Sequence, residues 1–135
     1  MAAALLLPIS VKCAVFENGK VWLRKNERDE WELPGGKLEE NEQPDQTAMR
    51  EAKEELGVKV KVGNLIGANL YKIPVSNDKE VRVFVIAYRC DFVERVGDVE
   101  QAGEAGAAEF RAFSMKEVES LNMPEFYRGW AKNAI

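Results

Sequence analysis

The chain has 135 residues, with 19 basic and 23 acidic side chains, a net charge of −4 and no histidine. A chain of this length buries roughly 68% of its unfolded surface, enough to fold without disulfides or metals. We therefore predict one domain over residues 1–135. The acidic balance argues against a nucleic-acid duplex as partner, because duplex binders act through basic surfaces. Without histidine, carboxylates must carry any acid–base chemistry.

The N-terminus and the two cysteines argue against secretion and against a metal knuckle. The opening apolar run ends at Pro8 and has no basic flank, so it is too short for a membrane span and unlike a signal peptide. Cys13 and Cys90 lie among apolar residues, which favours buried free thiols. We expect a cytoplasmic protein with no membrane partner.

The chain is predicted to open with a β-hairpin. Residues 9–16 are rich in apolar and β-branched side chains, and Asn18-Gly19 separates them from a second strand at 20–25. An Asn-Gly pair between two such runs favours a tight turn, because both residues tolerate positive φ. A charged tip follows at 26–30.

A glycine turn and a helix are predicted next. Trp31-Glu-Leu-Pro-Gly-Gly36 ends in paired glycines, which allow the backbone to turn sharply or to approach a ligand. A helix is predicted over 44–56, because Pro44 suits its first position and Gly57 suits its end.

The second half is predicted to hold most of the remaining strands. Residues 58–62 alternate, 65–73 are strand-like, and 80–90 form the strongest strand pattern; we expect these to pair antiparallel. Residues 98–108 are rich in Gly, Ala and Glu and are predicted to be a loop, followed by a strand at 109–113.

Two short helices are predicted to end the chain. Ser114 and Glu117 form a capping box, which predicts a helix to about Leu121, and a last helix begins near Asn122. Because strands outnumber helices and no repeat occurs, we predict the α+β class.

The negative charge is concentrated between Gly36 and Val58. Seven acidic and three basic residues give this segment a charge of −4, equal to that of the whole chain. At 100° per residue, Glu51, Glu54 and Glu55 share one stripe of the predicted helix. The stripe borders the apolar positions Ala48, Met49, Ala52 and Leu56. A metal site or a solvated charged face would explain it; oxygen ligands without His or Cys favour Mg²⁺ or Mn²⁺.

A known motif covers the same segment. Gly36, then Glu42 after five residues, then Arg50-Glu-Ala-Lys-Glu-Glu-Leu-Gly-Val58 after seven more match the Nudix box at every fixed position. Only Ala52 departs mildly, being smaller than the usual aliphatic residue. The chain thus resembles the Nudix hydrolases, and its flanks at 31–36 and 109–113 resemble that family too.

The resemblance implies a fold and an activity. The fold is an αβα sandwich around a mixed, mostly antiparallel sheet, in which the box forms a loop-helix-loop. The activity is hydrolysis of the diphosphate linkage in a nucleoside diphosphate linked to a group X, with ADP-ribose-like compounds or nucleoside triphosphates as substrates. Phosphoryl chemistry of this kind relies on positioning and charge neutralisation, which carboxylates holding Mg²⁺ supply.

The resemblance also implies residue roles. Glu51, Glu54, Glu55 and the carbonyl of Gly35 would hold metal. Arg50 would orient a box glutamate through hydrogen bonds. Gly36, the first box residue, would permit the turn.

The general base is left open between the box and a later loop. Glu54 and Glu55 are candidates within the box. Glu104, in the Gly- and Ala-rich loop, is placed like the loop glutamate of some small family members and could be a base or a metal ligand. Glu100 is a weaker competitor, and a solvated loop acid is the alternative for Glu104.

Substrate selection is less clearly encoded. Pro74 stands sixteen residues beyond the box, a spacing that resembles a marker of ADP-ribose pyrophosphatases, although it also suits a strand end. The residues that could stack on a base are Tyr71, Phe84 and Tyr88, and those that could meet phosphates are Arg24, Lys37 and Lys72.

Two other function classes stay open at this stage. One is a sensor with this fold that binds a nucleotide without turnover, and the other is a metal-dependent isomerase, which would be expected to need a cysteine in its site. The intact box favours the hydrolase. A homodimer is compatible with the sequence.

Overall fold

The computed structural model describes residues 2–75, 79–100 and 109–134. The strands are β1 (Ile9–Glu17), β2 (Lys20–Lys25), β3 (Trp31–Glu32), β4 (Gly35–Lys37), β5 (Val58–Pro74), β6 (Glu80–Arg95) and β7 (Glu109–Ser114). The helices are α1 (Pro44–Glu51), which continues as a π-helical turn (Ala52–Leu56), α2 (Met115–Val118) and α3 (Glu125–Asn133).

The seven strands form one mixed sheet. Its main order is β3-β2-β1-β6-β5, with β4 also pairing with β1 and β7 with β2. Within the described part of the chain, β1 and β6 run parallel and every other pairing is antiparallel. The predicted mixed, mostly antiparallel sheet is therefore confirmed.

Helices cover both faces of this sheet. On one face, the apolar side chains of α1 and the π-helical turn pack against β1, β5 and β6, in a cluster that includes Ala48, Ala52, Leu56, Val11, Val58 and Cys90. On the other face, α2, α3 and the segment between them contribute Val118, Met123 and Tyr127 to a second cluster. The predicted α+β class and αβα sandwich are confirmed.

The opening hairpin is confirmed. β1 and β2 pair antiparallel, with Phe16 opposite Val21 and Glu17 opposite Lys20. Asn18 and Gly19 form the connection with φ angles of 53° and 76°. These positive values are those that a type I′ turn requires, so the turn residues fix the register of the hairpin.

The two long strands depart from the prediction. β5 is one strand over Val58–Pro74 instead of two, and β6 extends to Arg95. Register shifts occur between Val62 and Leu65 and between Leu65 and Gly67. These irregularities absorb the break in the hydrophobic pattern while pairing with β6 continues on both sides.

The helices also differ in detail. The segment 44–56 is helical as predicted, but its last turn is π-helical and ends at Gly57. The Ser114–Glu117 capping box is present, although α2 ends at Val118 instead of Leu121. Arg128 on α3 donates to the carbonyls of Val118 and Leu121, so the chain beyond α2 is held by side-chain hydrogen bonds. None of the described helices is long and apolar enough to cross a bilayer.

The two cysteines are buried and free, as predicted. Both belong to the cluster under α1. Burial raises the pKa of Cys90 to about 12 and also raises that of Cys13. Because the thiolate is the reactive form, both are inert structural residues in the folded chain.

Two glycine variants test the packing of α3 on the sheet. A Cβ at Gly67 would overlap the Trp130 indole, whereas a Cβ at Gly129, inside α3, would meet open space. We expect Gly67→Ala to lower the free energy of unfolding by about 1–3 kcal/mol through overpacking. Gly129→Ala should raise it by up to about 1 kcal/mol through helix propensity. Urea unfolding measures both; equal effects of the two substitutions would contradict the packing of Trp130 on β5.

Candidate active site

Arg50 organises the acidic segment. Its Nε and Nη2 donate to the two carboxylate oxygens of Glu42 at 2.7 and 3.1 Å, a bidentate pair. Its Nη1 donates to Glu51 at 2.8 Å and to Glu54 at 3.2 Å. Nη2 also donates to the carbonyl of Lys37 at 3.2 Å. One guanidinium thus joins the loop before α1 to the acidic helix.

The charges in this network shift each other's protonation. The hydrogen bond from Arg50 lowers the pKa of Glu42 to about 2, and the hydrogen bond from Glu42 in turn raises the pKa of Arg50. Glu42 also accepts from the Thr47 hydroxyl at 3.0 Å. Glu42 is therefore ionised at every pH at which the protein would be assayed. Its charge stabilises the loop through Arg50 and Thr47.

Glu55 lies deeper than the other helix glutamates. Its side chain is 11% exposed, against 58% for Glu54. Its Oε1 accepts the backbone N–H of Gly35 at 2.9 Å, and its Oε2 lies 3.9 Å from Nε of Arg24. Burial, followed by the charge of Glu51, raises the pKa of Glu55 to about 8. A positive ion beside this carboxylate would offset both effects.

Glycine is required at position 36 because there is no room for a side chain, and not because the backbone turns there. A Cβ at Gly36 would overlap the Glu51 carboxylate. Gly36 lies in β4, opposite Val11 of β1, so it is held in the sheet and the predicted turn role is wrong. A strand without a side chain at this position lets the acidic helix lie directly against β4.

The three helix glutamates are neighbours but do not converge on one point. Glu51 and Glu55 lie next to each other, whereas Glu54 points outward and meets Arg50. Within residues 2–75, 79–100 and 109–134, no three His, Cys, Asp or Glu side chains form a ready metal cage. Met49, predicted to be on the packed side, is instead 47% exposed. The buried apolar residues of the helix are therefore Ala48, Ala52 and Leu56.

A cleft of about 370 Å³ adjoins the acidic helix at Gly35 and Gly36. Such a volume is typical of small-molecule sites. It is lined by charged residues, Lys12, Arg24, Glu27, Arg28, Glu32 and Lys37, and by aromatic and aliphatic residues, Tyr71, Ile73, Val81, Val83, Val85 and Tyr127. The two kinds of residue are neighbours, since Arg28 contacts Tyr71 and Nζ of Lys12 lies over the Tyr127 ring. A ligand with both charged and apolar groups matches this lining.

The structure sorts the predicted substrate contacts. Tyr71, Arg24 and Lys37 line the cleft. Phe84 lies instead beside the N-terminal leucines, and Tyr88 packs against the core under α1. Several charged or aromatic cleft residues were not predicted from the sequence, namely Lys12, Glu27, Arg28, Glu32 and Tyr127. Lys12 lies in a predicted strand, where its charge is the only signal, and nothing in the sequence distinguishes Glu32 from the other acidic residues.

The structure describes one of the two later candidates for the base. Glu104 lies outside the described residues. Glu100 is exposed, and its backbone N–H donates to the carbonyl of Glu55 at 2.9 Å. The backbone at Glu100 is thereby fastened to the end of the acidic helix.

The family model of the NUDIX domain matches residues 6–134. The 8-oxo-dGTP diphosphatase of Proteus vulgaris is 46% identical over 67 residues, covering 50% of this chain and 60% of that protein. Diphosphoinositol polyphosphate phosphohydrolase 3-alpha of Mus musculus is 42% identical over 57 residues, covering 42% of this chain and 32% of that protein. The matched segments therefore span less than two thirds of either relative.

Solved structures agree with the fold. A MutT NUDIX hydrolase from Burkholderia pseudomallei superposes with a TM-score of 0.72 at 22% identity, covering 95% of this chain and 98% of that one. The MutT protein from Bacillus halodurans superposes with a TM-score of 0.68 at 27% identity, covering 93% of this chain and 80% of that one. The described sheet and helices thus have close counterparts.

The burial of Glu55 leads to a prediction for the metal-free protein, measured with a chelator. Between pH 4.5, its ordinary pKa, and about pH 8, the folded state keeps a proton that the unfolded state has lost. Stability therefore falls as pH rises through this window. Glu55→Gln mimics the protonated form, so it should match the wild type near pH 4.5 and exceed it at pH 9 by on the order of 1–4 kcal/mol.

Urea unfolding at several pH values measures this difference. Glu40→Gln removes the same charge from an exposed position in the acidic segment and serves as the control. A gain of stability in Glu55→Gln that does not depend on pH would contradict the burial argument.

Proposed function

The chain belongs to the Nudix hydrolase family, and we propose that it cleaves the diphosphate linkage of a nucleoside diphosphate linked to X with the help of a divalent cation. The observation that carries the proposal is the contact between the acidic helix and the cleft. Glu55 accepts a hydrogen bond from Gly35, and Gly35 also lines the cleft. A diphosphate bound in the cleft at Gly35 would therefore lie beside the carboxylates.

The donor set suits Mg²⁺ or Mn²⁺. Glu51, Glu54, Glu55 and the carbonyl of Gly35 would hold the ion, since they offer the hard oxygen ligands that these cations prefer. The burial of Glu55, with its nearest cationic atom at 3.9 Å, supports this fit. When bound, the cation neutralises phosphate charge and favours attack at phosphorus.

The side chains of the site divide the remaining work. Arg50 orients Glu51 and Glu54 through its hydrogen bonds. A glutamate accepts the proton of a water whose oxygen attacks phosphorus, while the bridging P–O bond breaks and its electron pair leaves with the other phosphate. Glu54, Glu55 and Glu104 are the candidates for this base. The hydrogen bond between Glu55 and the cleft-lining Gly35 supports Glu55.

The cleft supports a nucleotide over a diphosphoinositol polyphosphate, although relatives of both names occur. Its lining includes two tyrosines and four aliphatic side chains, as a nucleoside requires. Its four cations are opposed by two glutamates. An inositol ring carrying phosphates all round would need more cationic partners than these and fewer apolar ones. The 8-oxo-dGTP diphosphatase relative is consistent with the nucleotide.

Some finer expectations stay predictions. Pro74 ends β5, which suits its interpretation as a strand end, and its value as an ADP-ribose marker stays a prediction. The choice between ADP-ribose-like compounds and nucleoside triphosphates stays open, as do the cytoplasmic location and the homodimer.

A substrate panel tests the proposed function. Purified protein with Mg²⁺ should hydrolyse at least one of ADP-ribose, nucleoside triphosphates, dinucleoside polyphosphates and sugar nucleotides, and chelation should abolish the turnover. Glu54→Gln should lower kcat by at least about 10²-fold, the lower limit for loss of a general base. Glu40→Gln should leave the rate unchanged. Turnover that persists after chelation would contradict the metal role. Tight nucleotide binding without turnover would favour the nucleotide-binding sensor.

The role of Glu104 needs its own measurement. If it is the base, Glu104→Gln should lower the single-turnover rate at saturating Mg²⁺ by about 10²–10⁴-fold with little change in KM. Glu100→Gln is the matched variant, because it removes an acid at the start of the same loop. An unchanged rate in Glu104→Gln would return the role to Glu54 or Glu55.

A further inference from the structure

Glu32 is a buried carboxylate surrounded by cationic and polar groups of the cleft. Its Oε1 accepts from Nη1 of Arg24 at 2.7 Å and lies 3.9 Å from Nζ of Lys12. Its Oε2 accepts from Nδ2 of Asn26 at 3.4 Å. The Glu32 side chain is 9% exposed. We refer to Lys12, Arg24, Asn26 and Glu32 as the Glu32 cluster.

Arg24 spans the distance between this cluster and the acidic helix. It lies opposite Glu32 in the pairing of β2 with β3, and its Nε is 3.9 Å from Oε2 of Glu55. Its Nη1 donates a hydrogen bond to Glu32. Among the residues that the structure describes, Nη2 of Arg24 donates to no partner, although the side chain is three-quarters buried and lines the cleft.

Stability alone does not account for this arrangement. A buried ion pair gains little over a well-packed apolar pair, because desolvating the charges costs about as much as their attraction returns. The Glu32 cluster also carries two cations and one anion, so a positive charge remains at the cleft wall. A guanidinium held on one edge and free on the other is prepared to bind a phosphate through its free N–H groups.

We propose that Arg24 binds the diphosphate of the substrate and that Glu32 is a positioning residue that fixes the Arg24 guanidinium between the cleft and Glu55. This inference rests on the proposed function, since it concerns the substrate of the same site. The phosphate would then be held between the basic wall at Arg24 and the acidic helix. Glu32 never meets the substrate; it acts through Arg24.

Binding of a methylene-bridged nucleoside diphosphate tests this by calorimetry with Mg²⁺, because the analogue is not hydrolysed. Arg24→Gln should weaken its affinity by about 10- to 100-fold, the range for losing a charge-assisted hydrogen bond. Glu32→Gln should weaken it by about 3- to 10-fold. The double variant should match Arg24→Gln alone, because Glu32 has no effect once Arg24 is absent. Arg24→Lys should be intermediate.

The ion pair between Arg111 and Glu109, at 2.7 Å on β7 and outside the cleft, supplies the matched control. Arg111→Gln and Glu109→Gln should leave affinity unchanged. If Arg24→Gln does not fold, the double variant replaces it, because it removes both buried charges. The double variant must then bind the analogue more weakly than Glu32→Gln does. Unchanged affinity in the Arg24 variants, or losses at Arg24 and Glu32 that add in full, would overturn the inference.

The same experiment separates the two proposals. Wild-type protein that binds the analogue but hydrolyses no member of the substrate panel overturns the proposed function and leaves the role of Arg24 standing. If the wild type and Arg24→Gln hydrolyse a nucleotide at the same rate, only the role of Arg24 is overturned. Failure of the wild type to bind the analogue counts against both.

Discussion

The site depends on the hydrogen bonds of a single guanidinium. Arg50 binds Glu42 on the preceding loop and Glu51 and Glu54 on the helix. Without a cation at this point, like charges on two adjacent segments would repel each other and separate the loop from the helix. The hydrogen bond from Arg50 to the Lys37 carbonyl also ties the helix to β4, which pairing with β1 holds in place. Gly36 lies there against Glu51, and Gly35 contacts Glu55.

A boundary between opposite charges runs through Gly35 and Gly36. Arg50 and the helix glutamates lie on one side, and the Glu32 cluster lies on the other. The nearest approach of the two sides is the 3.9 Å separation between Arg24 and Glu55. Although the chain is net acidic, four cations, Lys12, Arg24, Arg28 and Lys37, line the same cleft as the glycines and can attract an anionic ligand there.

Fold and box were predictable because they depend on local patterns. The Asn18-Gly19 turn, the limits of the helix at 44–56 and the Glu51 to Glu55 spacing depend on residues that are close in sequence. The limits of the last two helices differ from the prediction, since α2 ends at Val118 and α3 begins at Glu125. The Glu32 cluster was not predictable, because it depends on the register that sets Arg24 opposite Glu32. The π-helical turn and the exposure of Met49 depend on how the helix end packs, which the 3.6-residue period does not describe.

The sheet ends at β5, and the form of this strand affects how copies of the protein behave in concentrated solution. An edge strand of 17 residues offers unpaired backbone groups to any neighbouring chain. Register shifts bend the middle of β5, and the exposed Lys59 and Lys61 place like charges along its first part. When two copies of β5 approach edge to edge, their lysines repel each other and their bends prevent continuous pairing. β5 is therefore protected against edge-to-edge aggregation.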